Sequence, residues 1–167
     1  MLADDPMLNC RLPGMADRSP IRIVLDGLLR TPLSSRLVKT AKEIPLWIIA
    51  RPDAPLEPQR ELEAAGAEVM RVSAAGGKVD LGEALWLLAT REITRVLVEA
   101  GPILAAALIK ANLVDEAVIV RSPKTLGEDA IPALEDMPLA ALVENPRLAL
   151  IERRDVGGDT LEHLFRS

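Results

Sequence analysis

The chain of 167 residues has one cysteine, Cys10, and one histidine, His163. A single cysteine forms no intrachain disulfide, and no Cys/His cluster has zinc-ligand spacing. A Ser-His-Asp triad or a histidine-based metal site is likewise not expected, and no metal is called for. The zinc-deaminase pattern, H-x-E followed by P-C-x-x-C, is absent. Aromatic residues are scarce: one phenylalanine, two tryptophans and no tyrosine. No basic block is present and the net charge is −5, which argues against a nucleic-acid partner. No apolar run has the length of a membrane span. The first residues have neither the basic nor the apolar region of a signal peptide, so a cytoplasmic location is expected. What remains is 49% hydrophobic and 27% charged, the balance of one globular domain over 1–167 with a sizeable core.

The order of elements predicts an α/β class. Residues 1–20 hold Pro6, Pro13, Gly14 and Pro20 and read as an irregular arm. Ile21–Asp26, ending at Gly27, reads as a strand, and Ser34–Thr40 as a helical turn. Leu46–Ala50 is apolar throughout, as in a strand buried on both faces. Pro58–Ala65 reads as a short helix stopped by Gly66, and Ala67–Val72 as a strand. Asp80 is a candidate N-cap for a helix over Leu81–Thr90, with Leu81, Ala84, Leu85 and Leu88 on one face. Arg95–Val98 is a further expected buried strand, Pro102–Ala111 a helix, and Ala117–Val120 a strand. Residues 122–146 read mostly as loop. Leu148–Glu152 and Thr160–Phe165 are expected to pair across Gly157-Gly158. Trp47 and Trp86 are expected in the core, and His163 in a structural or exposed role. Such alternation predicts a three-layer mixed sheet with flanking helices and a C-terminal antiparallel hairpin.

One turn carries chemistry. In open α/β sheets, ligands bind outside the carboxyl ends of strands, and Val98-Glu99 is expected to be such an end. Gly101 permits close backbone approach, and Pro102 fits the first helical position. The helix start then presents unpaired N–H groups and a positive dipole end, both suited to a dinucleotide pyrophosphate. Ala105, Ala106 and Ala107 keep this surface small. A Gly-Pro junction also serves as an ordinary turn, so the turn alone leaves both readings open.

Four segments in order resemble one family. Leu2-Ala3-Asp4-Asp5-Pro6-Met7-Leu8-Asn9-Cys10-Arg11 resembles an L-A-D-D-P-x-L-x-x-R segment, and Pro20–Asp26 is similar to the strand after it. Leu97-Val98-Glu99-Ala100-Gly101-Pro102 with Leu104-Ala105 resembles V-E-[GA]-G-P-T-L-A. Leu113-Val114-Asp115-Glu116 followed by Ser122–Gly127 resembles L-V-D-E followed by A-P-K-L-L-G. The family is the reductase domain of riboflavin-biosynthesis deaminase–reductases. The resemblance implies a dihydrofolate-reductase-like fold, and NADPH as cofactor. It implies reduction of 5-amino-6-(5-phosphoribosylamino)uracil to the ribitylamino product.

By position, the resemblance makes Leu8, Arg11 and Glu99 substrate contacts, Arg11 being suited to a phosphate. It makes Asp4, Gly27, Gly101, Pro102, Ile103, Leu104, Ala105, Ala106 and Ala107 cofactor contacts; no catalytic group is identified. Two departures each remove a hydroxyl from the cofactor's surroundings: Gly27 stands where the family often has Ser, and Ile103 where it has Thr. Family domains begin earlier, so the first strand and helix of the family fold are expected to be absent. Arg95–Val98 and Leu46–Ala50 then require cover on both faces, and a homodimer is the expected assembly. Two alternatives stay open: a related pterin or dihydrofolate-type NADPH reductase, and a non-catalytic fragment that retains the fold.

Overall fold

The computed structural model describes residues 4–127 and 129–167. The chain divides into two compact units, Met1–Val96 and Leu97–Ser167. Leu2 and Ala3 of the first resembling segment lie outside the described residues.

The first unit opens with an irregular arm and a 3-10 turn over Ala16–Arg18. Strand β1 is Arg22–Leu25, helix α1 Arg36–Lys39, strand β2 Leu46–Ala50, helix α2 Leu56–Ala64 and strand β3 Glu68–Arg71. The three strands form a parallel sheet in the order β1-β2-β3, with Val24 opposite Ile48 and Ile48 opposite Val69. Two-residue strands β4 (Ala74–Ala75) and β5 (Lys78–Val79) then form a hairpin. Its turn residues Gly76 and Gly77 are both left-handed, at φ 57° and 74°, which a two-residue turn of this hand requires and glycine adopts without strain. Helix α3, Leu81–Thr90, starts where Asp80 accepts a hydrogen bond from the Glu83 N–H at 2.9 Å.

Alternation along β2 explains the layering. Ile48 lies in one core cluster with Leu37, Val38 and Leu62, while Ile49 lies in another with Met70, Ala84 and Leu88. Helices α1 and α2 thus supply one face and α3 the other, the reason Leu46–Ala50 is apolar throughout.

In the second unit, helix α4 spans Pro102–Lys110, strand β6 Glu116–Arg121, helix α5 Ala140–Val143, strand β7 Leu148–Val156 and strand β8 Asp159–Arg166. The antiparallel sheet has the order β6-β8-β7. Gly157 and Gly158, at φ 65° and 93°, make the β7–β8 turn. The hairpin strands run longer than their apolar stretches because pairing continues to this turn, with an irregularity between Leu150 and Glu152. One face buries Ile119, Leu148 and Leu164 in a cluster with Ala106 and Ile109 of α4. The opposite face leaves Val118, Val120 and Phe165 exposed.

Three expectations are corrected. Parallel and antiparallel strands are both present, but in separate sheets. Arg95–Val98 forms no strand: it pairs with none of the described strands, and Leu97 is 82% exposed. Strand propensity is a fit to a sheet surface and not an intrinsic backbone preference, so Val96, Leu97 and Val98, which have no neighbouring strand among the described residues, stay irregular. Trp86 is 67% exposed. It follows Ala84 by two positions and precedes Leu88 by two, about 160–200° from that buried stripe at the helical period. Trp47 is half-buried, with the Arg91 guanidinium 5.4 Å from its ring centroid.

Candidate functional site

Asp4, Leu8 and Arg11 all lie on the irregular arm of the first unit. Asp4 and Arg11 are exposed, and Leu8 is half-buried against the cluster of Val24, Leu37 and Ile48. Asp5 and Leu8 are both left-handed, at φ 40° and 49°. Such conformations cost about 1–3 kcal/mol each at non-glycine residues and persist only where surrounding contacts hold them. Several do. The Arg36 N–H donates to Asp5 Oδ1 at 2.9 Å, and the Cys10 N–H donates to Ser19 Oγ at 3.2 Å. Asn9 Oδ1 is a buried acceptor without a hydrogen-bond partner among the described residues.

Under the arm lies Arg22, which is 1% exposed. Its guanidinium donates to Thr40 Oγ1 at 2.7 Å, to the Thr40 carbonyl at 3.1 Å and to the Ile44 carbonyl, with a long contact to the Met7 carbonyl at 3.5 Å. Burial pushes this guanidinium below its ordinary value. The signal for this residue was available: Arg22 is in phase with buried Val24 in an otherwise apolar strand.

Gly27 follows β1 at its carboxyl end. A Cβ there would stand 3.1 Å from Cγ of Arg51, the residue just after β2. A serine there would require the Arg51 stem to give by a few tenths of an ångström. Its guanidinium donates to both carboxylate oxygens of Asp53, at 2.9 and 2.6 Å, and to the Gly77 carbonyl. These hydrogen bonds from Arg51 hold the Asp53 carboxyl below its usual range, against a smaller opposing effect of desolvation.

In the second unit, Glu99 is exposed on the irregular segment before α4 and does not end a strand. Gly101 is the N-cap of α4 as expected, with Pro102 in the first turn and no side chain capping the amides. Gly101 has φ −72° and ψ 177°, which any residue adopts, and a Cβ added there meets nothing within 4 Å. Neither its own conformation nor its neighbours account for glycine here. Ile103 is exposed, Leu104, Ala105 and Ala107 are half-buried, and Ala106 is buried in the core. The Ala106 side chain is thus committed to packing.

Sequence reasoning missed a third cluster. Glu162 on β8 is 2% exposed and accepts hydrogen bonds from Arg121 Nε and Arg153 Nε, each at 3.1 Å. The hydrogen bond from Arg153, reinforced by the charges of both arginines, holds its carboxyl below the usual glutamate range although burial opposes this. A depressed folded-state pKa contributes stability above the unfolded value, roughly 4.3 for glutamate, and that contribution disappears as pH falls through the folded value. Urea unfolding followed by circular dichroism between pH 6 and 3 (about the window this shift affects) is expected to show a steeper acid loss in the parent than in Glu162→Gln. Equal slopes would refute the assignment. His163, on the opposite face, lies 2.8 Å from Glu116 Oε1. Among the described residues, no group of three or more His, Cys, Asp or Glu is placed to hold a metal ion, and no helix is long and apolar enough to cross a membrane.

A parallel sheet between helices, an antiparallel sheet with a C-terminal hairpin and an uncapped helix start behind glycine define a mixed α/β protein. The solved structure of Acinetobacter baumannii RibD superposes with a TM-score of 0.74 at 23% identity, over 99% of this chain and 44% of that one. The chain belongs to the RibD C-terminal domain family, whose model matches residues 1–161. It is 34% identical to the riboflavin biosynthesis protein RibD of Escherichia coli K12, over 98% of this chain and 46% of that protein. It is 29% identical to the 5-amino-6-(5-phosphoribosylamino)uracil reductase of Buchnera aphidicola, over 79% of this chain and 66% of that protein. The chain spans less than half the length of the RibD relative from Escherichia coli.

Proposed function

We propose that the chain is one reductase domain over 1–167, comprising both units, that uses NADPH to reduce 5-amino-6-(5-phosphoribosylamino)uracil to the ribitylamino product. The family match runs across the boundary between the units, and a relative bears this reductase name. The observation that carries the cofactor reading is Gly101: a glycine that the chain's own packing does not demand, before an uncapped helix start. Helix-start amides and the positive dipole end suit a pyrophosphate. NADPH, when bound, supplies the hydride that reduces the ribosylamino carbon. The family resemblance assigns Gly101–Ala107, Asp4 and Gly27 to the cofactor and Leu8, Arg11 and Glu99 to the substrate, with Arg11 chemically suited to the phosphate. The protein's contribution is alignment of donor and acceptor. A homodimer in the cytoplasm is the working assembly.

Calorimetric titration with NADPH tests this, followed by loss of NADPH absorbance when substrate is added. Binding with a Kd below ~1 mM and substrate-dependent oxidation are expected. No binding at that concentration overturns the reading. Binding without turnover favours a second reading, a non-catalytic NADPH-binding domain, for which the unpaired segment before Glu99 speaks.

A further inference from the structure

The arm bearing Asp4, Leu8 and Arg11 has two left-handed non-glycine residues, so it adopts this path only where contacts impose it. Leu8 has its side chain in the core cluster as an anchor. Asp5 has its carboxylate on the first turn of α1, where Oδ1 accepts from the Arg36 N–H at 2.9 Å, and its carbonyl faces Arg36 Nη1 at 3.5 Å. Ser35 Oγ accepts from the Val38 N–H at the same end, so two side chains serve different amides of α1. One is local, and one comes from 31 residues away. A carboxylate on a first-turn amide satisfies a donor that has no partner within the helix.

We propose that Asp5 is a positioning residue. It fastens the arm to α1 and thereby sets the affinity for substrate, without itself touching it. The substrate half of this inference rests on the reductase reading above. Adjacent acids Asp4 and Asp5 thus differ: Asp4 is exposed, while the carboxylate of Asp5 is engaged within the fold.

Three variants test it. Asp5→Ala removes the acceptor. Asp5→Asn keeps an acceptor of the same reach and removes the charge. Asp5→Gly removes the acceptor and the left-handed strain together, so a folded variant without the carboxylate is secured. Amide hydrogen exchange at Arg36 and across residues 5–10 is read beside steady-state kinetics with NADPH and the phosphoribosylaminouracil. Asp5→Ala and Asp5→Gly are expected to raise exchange at Arg36 and in the arm. KM for the phosphoribosylaminouracil rises about tenfold, equivalent to ~1.4 kcal/mol, with kcat changed less than about twofold, a loss of binding common to ground and transition states. Asp5→Asn is expected to restore both readouts nearly to the parent. Unchanged exchange in Asp5→Ala overturns the inference. So does an Asp5→Asn variant that keeps Arg36 protected yet shows the raised KM, since charge on a ligand would then be the role. A parent chain without substrate turnover overturns the reductase reading and the affinity half of this one, while exchange still decides whether Asp5 fastens the arm.

Discussion

Gly101→Val is expected to weaken NADPH binding at least about 100-fold, ~2.7 kcal/mol, without unfolding the protein. The backbone at Gly101 has φ −72° and ψ 177°, open to valine, and the added Cβ meets nothing within 4 Å. Valine is a poorer N-cap than glycine, a cost of about 1 kcal/mol or less. The isopropyl group nevertheless stands before the Ile103 and Leu104 amides, which are free of side-chain caps and which the pyrophosphate is proposed to approach. Calorimetry gives the affinity and circular dichroism the unfolding midpoint. A variant that binds NADPH as the parent does reduces this turn to a structural one. A variant that unfolds places unseen packing at the site.

Leu164→Ala is expected to destabilise the second unit by about 2–5 kcal/mol, the range for truncating a fully buried leucine. Leu164 is 0% exposed on central strand β8, in one cluster with Ile119, Leu148 and the α4 residues Ala106 and Ile109. The same truncation at exposed Val118, on the opposite face, is expected to fall within about 0.5 kcal/mol. Urea unfolding must be followed by circular dichroism, because both tryptophans, Trp47 and Trp86, lie outside this unit. Equal losses at Leu164 and Val118 would refute the one-faced core.

Those predictions differ in how far they were legible from the chain alone. Gly101-Pro102 as a helix start is a local signal, and the helix begins there. Asp80 capping α3 and Gly157-Gly158 turning the last hairpin are equally local. Leu46–Ala50 announced two-sided burial by its composition, and β2 has it. Val96, Leu97 and Val98 are likewise apolar and have neither strand nor burial. The difference lies in neighbours: β2 is flanked by β1 and β3, and no such flank exists for residues 95–98 among the described strands. The Asp5 and Arg22 contacts were illegible for a related reason, since each joins segments distant in the chain.

What residue order by itself determined here is the set of local elements, the uncapped helix start behind Gly101, and the resemblance that places the chain in its family. Strand period, caps and turn glycines act over a few residues, so they can be read one after another. Tertiary structure alone decided which side of each element faces the core. On β8, alternation sets Glu162 and Leu164 against Leu161, His163 and Phe165, and both sides carry apolar residues. Only the arrival of α4 on one face, and of Arg121 and Arg153 at Glu162, made that side the buried one. A carboxylate is tolerated in such a place only where donors satisfy its charge, and those donors come from neighbouring strands.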